Sequence, residues 1–150
     1  MIEIYTDGST LKNGAKDAEG GFGIVIVEDG KIIREYSKRC IGTTNNREEL
    51  KAIIWTIYNY GHLNPNVYSD SAYCINTLTN WMWNWKANNW IKSDKKTPEN
   101  LDLIQLYDKI VSSGKKINLI KVKGHNGNTF NERADGLAVG RIQLKGENNG

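Results

Sequence analysis

The architecture is set by residues 2–9, which read Ile-Glu-Ile-Tyr-Thr-Asp-Gly-Ser. Apolar and polar side chains alternate over residues 2–6, which is the period of a β-strand with one buried face. The polar group Asp7-Gly8-Ser9 follows and predicts the end of that strand. We therefore expect an acidic side chain at the mouth of the first structural element.

The next two segments predict strands that pair with the first one. Residues 21–28 open with glycines and are rich in β-branched residues. Residues 31–38 follow after Asp29-Gly30, a dipeptide typical of hairpin turns. Strands in this arrangement form an antiparallel meander, and the polar residues 10–20 predict a loop between the first two.

A helix and a parallel strand are expected next. The helix should start near Thr44 or Asn45, with Asn45 and Glu48 as a capping box. Residues 66–69 predict a fourth strand that ends at Asp70. A strand reached through a helix is the βαβ pattern, in which the paired strands are parallel.

The second half of the chain predicts helices and one further strand. Residues 71–80 suggest a helix, and Thr97-Pro98 suits the start of another. Residues 117–122 predict a fifth strand. Thr129, with an acid three residues later, predicts a capping box for a last helix that carries Asp135 in its second turn.

The composition is that of an ordinary globular domain. The 150 residues include 39% hydrophobic and 25% charged residues. No apolar run approaches the roughly 20 residues of a membrane span, and the N-terminus lacks the features of a signal peptide. We expect one domain over residues 1–150 in the cytoplasm, with no membrane partner and a disordered tail over about 146–150.

Charge is distributed unevenly around a net value of +3. Residues 1–80 carry 8 Lys/Arg and 10 Asp/Glu, whereas residues 81–150 carry 12 Lys/Arg and 7 Asp/Glu. A basic face for a polyanion beside an acidic pocket for cations would give this asymmetry. Lysines that only solubilise the surface would give it too, so both interpretations stay open.

Four acids lie at the mouths of predicted elements, each within a short polar motif. They are Asp7, Glu49, Asp70 and Asp135. Gathered carboxylates repel one another unless a cation neutralises them, and Mg²⁺ takes oxygen ligands. Two such ions about 4 Å apart clamp a phosphoryl group for in-line attack. If the four acids meet in space, the pattern indicates metal-dependent phosphodiester hydrolysis.

Each acid also has a structural interpretation. Asp7 could be a turn residue, and Asp70 could cap a helix. Glu48 competes with Glu49, because Glu48 fits a capping box whereas Glu49 lies nearer the apolar stripe of the helix. An acid that faces a core needs a cation or a strong partner, which favours Glu49, but spacing alone supports this choice only weakly.

Two further features point towards nucleic acid. His125 lies in a glycine-containing loop, where it could move a proton near neutral pH or be a plain surface residue. Residues 81–97 contain four tryptophans together with four lysines. Aromatic and basic side chains together suit nucleic-acid backbones, whereas the tryptophans taken alone could be core packing.

Five motifs, in this order, resemble those of bacterial-type ribonucleases H of type I, which cut RNA paired to DNA. They are Thr6-Asp7-Gly8-Ser9, the stretch Thr43 to Leu50, Ser69-Asp70-Ser71, the stretch Trp81 to Trp85, and Val122 to Gly127 leading to Asn131-Glu132-Arg133-Ala134-Asp135. The resemblance covers Ile2 to about Ala138. Each motif is weak alone, but the ordered set is specific.

The resemblance implies an α/β fold, with a mixed five-stranded sheet flanked by helices and a basic handle at about 81–97. Strands 1–3 would be antiparallel, and strands 4 and 5 would be joined through helices. It also implies a monomer that cleaves the RNA strand of RNA–DNA hybrids with little sequence specificity, leaving 5′-phosphate and 3′-hydroxyl ends. Two Mg²⁺ ions would serve as cofactors, with Mn²⁺ as a substitute.

The resemblance further assigns roles to individual residues. The implied metal ligands are Asp7, Glu49, Asp70 and Asp135, and His125 is implied as a catalytic residue for proton movement or product release. The implied substrate contacts are Asn13, Asn45 and Asn46 on the hybrid, Thr44 and Asn84 around a DNA-strand phosphate, and Trp81, Trp85, Lys86 and Trp90 in the handle.

Two positions depart from the family pattern. Ala72 stands where many bacterial relatives have Gln, and Gly42 stands where an Arg often completes the phosphate pocket. Both changes remove a substrate contact and leave the four acids intact. We therefore expect weaker hybrid binding with the chemistry preserved.

Three other functions share part of the pattern. A transposase-like or Holliday-junction nuclease would share the clustered acids but generally lacks the tryptophan-rich handle. A catalytically silent hybrid-binding module would not need all four acids. A metal-stabilised structural domain would bind no nucleic acid.

Overall fold

The computed structural model describes residues 1–11, 13, 15–122 and 128–141. The strands are β1 (Ile2–Thr10), β2 (Glu19–Glu28), β3 (Lys31–Ile41), β4 (Asn66–Ser69) and β5 (Asn118–Lys121). The α-helices are α1 (Asn45–Tyr60), α2 (Ala72–Asn76), α3 (Met82–Ala87), α4 (Leu101–Ser112) and α5 (Thr129–Ala138). A 3₁₀ turn over Gly61–Leu63 follows α1, and a π-helical turn over Thr77–Trp81 joins α2 to α3.

The strands form one sheet in the order β3-β2-β1-β4-β5. β1 and β3 both pair antiparallel with β2, while β4 pairs parallel with β1 and with β5. The predicted mixed five-stranded sheet is confirmed. Tyr5 lies opposite Tyr68, so the carboxyl end of β4 emerges alongside the middle of β1.

The two faces of the sheet bury different helices, because successive side chains of a strand point to opposite faces. Ile4 belongs to the cluster that packs against α1. Its neighbour Tyr5 belongs to the cluster formed with Ala134 and Leu137 of α5. Side chains that follow these residues along β1 can therefore meet groups from both helices.

β1 runs further than its sequence predicts. Asp7 does not end the strand but pairs with Gly23 of β2, and pairing continues to Thr10. The reason lies in Gly8, where an added Cβ would overlap the backbone of Glu48 and Glu49. A glycine inside a strand permits such a close approach of another backbone, so the Asp-Gly pair here marks helix packing and not a turn.

The predicted start of α1 near Thr44 or Asn45 is confirmed, but the capping residues predicted for α1 and α5 need correction. Thr44, not Asn45, caps α1, and its Oγ1 accepts a hydrogen bond from the Arg47 N–H. Asn128, not Thr129, caps α5 by accepting from the Asn131 N–H at 3.0 Å. Two neighbouring polar residues can each cap a helix, and sequence alone does not decide between them.

The start predicted at Thr97-Pro98 is also wrong, because α4 begins three residues later at Leu101. The preceding residue, Asn100, adopts a left-handed conformation with φ 60°. Its side chain bonds the Tyr73 hydroxyl at 2.9 Å and accepts from Arg47 at 3.3 Å. These tertiary contacts, and not a local capping bond, fix where α4 begins.

The helix expected over residues 71–80 is longer than predicted. Helical structure of one kind or another continues from Ala72 to Ala87 through the π-helical turn, so the first part of segment 81–97 is helical. None of the helices in the described ranges combines the length and the hydropathy that a membrane-crossing segment requires.

Candidate active site

Three of the four predicted acids meet in the structure. Asp7 comes from β1, Glu49 from the first turn of α1, and Asp70 directly follows β4. Each offers a carboxylate oxygen, and these oxygens lie within 4.8 Å of one another. Asp7 is 7% exposed and Glu49 6%, whereas Asp70 is half-buried. Two members of the trio are thus buried, and Asp70 is the most exposed of the three.

Gly8 is the backbone element that holds two members of the trio together. Its N–H donates to Glu49 Oε1 at 2.9 Å and to Asp7 Oδ1 at 3.0 Å. The missing side chain lets the first turn of α1 approach β1 closely enough for this shared hydrogen bond. Parallel pairing of β4 with β1 then places Asp70 beside Asp7.

The electrostatics of the trio disfavour three negative charges at once. Burial raises the pKa of the Asp7 carboxyl well above its ordinary value, and the neighbouring charge of Glu49 raises it further. Burial also raises the pKa of Glu49. Glu49 Oε2 is buried and finds no hydrogen-bond donor within the described part of the chain, and the same is true of Glu48 Oε1, so the missing donor alone does not mark a ligand. Converging oxygens with an unpartnered acceptor fit a hard divalent cation.

Asp135 lies beside the trio and outside the set of mutually close oxygens found among the described residues. It sits in the second turn of α5, as predicted, and a side-chain hydrogen bond that protonated Asp7 donates to it contributes to the raised pKa of Asp7, after burial and the charges of Glu49 and Asp70. Arg141 Nη2 donates to Asp135 Oδ2 at 3.2 Å. The fourth predicted ligand is therefore near the site but carries a protein counter-charge.

Glu48 has a different role from the capping residue that its spacing predicts. It is fully buried, and its Oε2 accepts from Thr43 Oγ1 at 2.6 Å and pairs with Lys51 Nζ at 2.8 Å. Burial therefore does not separate Glu48 from Glu49, as the sequence argument supposed. The two differ in partners, because Glu48 meets a lysine and Glu49 meets other acids.

Two of the predicted hybrid-contacting asparagines are organised around the end of β1. Asn45 Oδ1 accepts from the Thr10 N–H at 2.7 Å and from its hydroxyl at 2.6 Å. Asn13 Oδ1 accepts from the Asn45 N–H at 3.1 Å. Asn45 is exposed, and Asn46, the next residue of α1, is half-buried. These contacts preorganise an amide-lined edge next to the acidic trio.

The handle segment divides into packed and exposed parts. Trp85 and Trp90 pack against the core formed by α1 and α4, whereas Trp81 and Trp83 are 42% and 38% exposed. Lys86 pairs with Asp108 of α4 at 2.9 Å. Core packing is thus confirmed for Trp85 and Trp90, whereas nucleic-acid contact by Trp81 and Trp83 stays a prediction, and the Lys86 ammonium has an ion-pair partner within the protein.

The predicted phosphate pocket draws on separate elements. Thr44 caps α1 as described above, and Asn84 of α3 lines a cavity of about 260 Å³ together with Trp85, Asn88, Ile91 and Ser93. Gly42, which replaces the expected arginine, has φ 75°, a conformation that disfavours side chains other than glycine. The weaker hybrid binding expected from Ala72 and Gly42 stays a prediction.

Two predictions lie outside the described residues, namely the catalytic role of His125 and the disorder of the tail. Conversely, the sequence did not predict three residues that contact the acids. Gly8, Lys51 and Arg141 all act through contacts with the acids. The Glu48–Lys51 spacing of three residues on a helix is a local signal that could have revealed their pair, whereas the contact of Gly8 with α1 is long-range.

Comparison with known proteins agrees with this geometry. Residues 1–143 match the RNase H family. The Ribonuclease H of Caldanaerobacter subterraneus subsp. tengcongensis is 42% identical over 146 residues, which are 95% of this chain and 92% of that protein.

Two solved structures have a similar fold. LC9-RNase H1, described as a type 1 RNase H with the type 2 active-site motif, superimposes with a TM-score of 0.79 at 30% identity, over 93% of this chain and 70% of that one. LC11-RNase H1 in complex with an RNA/DNA hybrid gives a TM-score of 0.66 at 22% identity, over 93% and 95% of the chains. The chain therefore belongs to the RNase H family and is a metal-dependent endoribonuclease that acts on RNA–DNA hybrids.

Proposed function

We propose that Asp7, Glu49, Asp70 and Asp135 hold two Mg²⁺ ions, which Mn²⁺ can replace, at the centre where the RNA strand is hydrolysed. The observation that carries this assignment is the convergence of three carboxylates, two of them buried, whose oxygens lie within 4.8 Å of one another. Carboxylates gathered in this way repel one another when charged, and divalent cations would neutralise that charge.

When bound, a pair of divalent cations supplies a nucleophile near neutral pH by lowering the pKa of water and stabilises the departing 3′ oxygen. The protein's own part is to hold the ligand oxygens in place. Gly8 fixes Asp7 and Glu49 through one N–H, and the β1–β4 pairing fixes Asp70. Cleavage of the 3′-oxygen bond would leave 5′-phosphate and 3′-hydroxyl ends.

Recognition of the hybrid is proposed to use groups on either side of the acids. Asn13, Asn45 and Asn46 would contact the sugars and backbone of the hybrid on one side, while the exposed Trp81 and the handle lysines would approach the DNA backbone on the other. Contacts to backbone and groove shape carry little sequence information, so cleavage should be largely independent of base sequence. The RNA 2′-hydroxyl distinguishes the strand to be cut.

Two expectations from the sequence stay predictions, namely a cytoplasmic location and a monomeric state. His125 likewise remains a predicted proton carrier. Size-exclusion chromatography with light scattering would measure the oligomeric state.

The test of the assignment is cleavage of a labelled RNA–DNA hybrid with Mg²⁺, with and without a chelator, by the wild type and by Asp70→Asn. Cleavage should require the metal and be lost in the variant, while circular dichroism shows an unchanged fold. Double-stranded DNA is the control substrate and should stay intact. Substantial cleavage by Asp70→Asn would refute the role of Asp70 as an essential ligand.

A further inference from the structure

The end of α5 directs Arg141 back towards the active site. Gly140 has φ 79° and its N–H bonds the Leu137 carbonyl, while the Arg141 N–H bonds the Gly136 carbonyl at 2.9 Å. This pair of bonds is the Schellman arrangement that closes a helix with a left-handed glycine. The backbone of Arg141 is thereby fixed against the helix that carries Asp135.

From this position the guanidinium reaches an active-site acid. Arg141 Nη2 lies 3.2 Å from Asp135 Oδ2, and the Asp135 side chain is 22% exposed. Two other arginines near α5 are engaged elsewhere: Arg133 pairs with Glu35 of β3, and Arg39 donates to the Ala138 carbonyl. Each of these arginines thus has its own acceptor, and that of Arg141 is a predicted metal ligand.

The four acids are therefore not equivalent before metal binds. The trio of Asp7, Glu49 and Asp70 presents its oxygens to one another, whereas Asp135 already has a positive partner. An oxygen that accepts from a guanidinium has fewer lone pairs for a cation, and the fixed positive charge repels that cation.

We propose that Arg141 is the resident counter-ion of Asp135 and competes with a divalent cation for this carboxylate. The inference rests on the proposed function, because it requires Asp135 to be a metal ligand. It predicts that metal uptake at the Asp135 side of the centre is weaker than the four acids alone would allow. Because Arg141 is 63% exposed, water screens the pair and the effect is modest, about two- to fivefold in affinity.

The test is a Mn²⁺ titration of the full chain, with the unbound ion measured by electron paramagnetic resonance. It is run without nucleic acid and with a saturating hybrid whose RNA strand carries 2′-O-methyl groups, so that no cleavage occurs. The variants are Arg141→Gln, Asp135→Asn and the two combined. The matched control is Arg133→Gln, which removes an arginine of α5 that pairs with Glu35 and not with Asp135.

Arg141→Gln should tighten Mn²⁺ binding about two- to fivefold in the hybrid complex, and Arg133→Gln should leave it unchanged. In the Asp135→Asn background the Arg141 substitution should have a smaller effect, because it then removes only the repulsion between the guanidinium and the cation and frees no carboxylate. Arg141→Lys, which keeps a charge at the same place, should fall between Arg141→Gln and the wild type and guards against a misfolded glutamine variant.

The outcomes separate this inference from the proposed function. If Asp135→Asn binds Mn²⁺ as tightly as the wild type under both conditions, Asp135 is not a ligand and the proposed ligand set fails. If Asp135→Asn weakens binding but Arg141→Gln leaves it unchanged or weakens it, the ligand set stands and the counter-ion role of Arg141 is overturned.

Discussion

Glu48 and Glu49 are neighbours in the chain and both are buried, yet only the Glu48 carboxylate has a positively charged partner. Glu48 receives a hydrogen bond from Thr43 and an ion pair from Lys51. Glu49 receives one N–H from Gly8 and otherwise faces Asp7 and Asp70. The comparison teaches that a buried acid with an internal counter-charge completes the fold, whereas a buried acid without one creates a site for something else.

The largest expected difference between the two glutamates is in catalysis. Glu49→Gln should lower kcat/KM on a hybrid by roughly 10³-fold, since a metal ligand contributes several kcal/mol of transition-state stabilisation and each 1.36 kcal/mol is a factor of ten. Glu48→Gln, the matched variant one residue away, should lower it less than about tenfold. Steady-state cleavage at saturating Mg²⁺ measures both. Equal losses would show that the two glutamates form one functional unit.

The contacts of Glu48 with Thr43 and Lys51 should affect the stability of the protein more than its catalysis. Lys51→Met removes the counter-charge of a carboxylate that is 1% exposed and should destabilise the protein by about 2 kcal/mol, less than for a fully buried pair because Lys51 is 28% exposed. Adding Glu48→Met should restore most of that loss, because the unpaired charge disappears. Urea unfolding measures both variants, and a double variant no more stable than Lys51→Met would contradict this account.

Removing a charge from the acidic trio should raise the stability of the metal-free protein, whereas Lys51→Met lowers the stability. The folded protein raises the pKa of Asp7, chiefly by burial, so the folded state binds the proton more tightly than the unfolded state. Metal-free stability from this group is then full below the ordinary pKa of about 4 and declines as the pH rises. Asp7→Asn should therefore stabilise the metal-free protein, by about 1 kcal/mol or more near neutral pH, and abolish the stabilisation that Mg²⁺ gives the wild type.

Thermal unfolding in a chelator between pH 4 and pH 8 measures this difference between Asp7→Asn and the wild type, which should widen as the pH rises. Asp102 supplies a control of opposite sign, because a hydrogen bond from Arg47 lowers its pKa. Asp102→Asn should lose stability relative to the wild type at neutral pH. A pH-independent difference for Asp7→Asn would mean that its burial does not disfavour the charged form.

The sequence predicted most of the architecture, because the strand pattern of period two and the ordered motifs are local signals. The mixed five-stranded sheet and the placement of Asp70 at the end of β4 are confirmed. The end of β1 at Asp7 was wrong, because Asp-Gly reads as a turn until the close approach of α1 to Gly8 is known. That approach joins residues about forty positions apart, which no local pattern reports.

The candidate site could be predicted only in part, for the same reason. Motif order identified the acids, but it did not reveal that three of them converge while Asp135 pairs with Arg141. The role of Glu48 was also predicted wrongly from spacing, because a glutamate three residues after Asn45 fits a capping box, whereas its carboxylate is buried and pairs with Lys51. The presence or absence of a counter-charge is a tertiary property, and it is what separates Glu48 from the proposed ligand Glu49.

Lysine side chains should show the same distinction between paired and unpaired charges, and its effect on hybrid binding should be smaller than the effects expected for the acids. Lys86 is paired with Asp108 at 2.9 Å, whereas Lys95 and Lys96 are exposed and make no ion pair within the described residues. Lysines that contact phosphate each contribute about one to the slope of log K against log salt concentration. Lys95→Ala and Lys96→Ala should each flatten the slope of hybrid binding measured by fluorescence anisotropy. Lys86→Ala should change this slope less than either of them. A larger effect from Lys86 would show that an internal partner does not keep a charge from the substrate, and would limit the rule to buried groups.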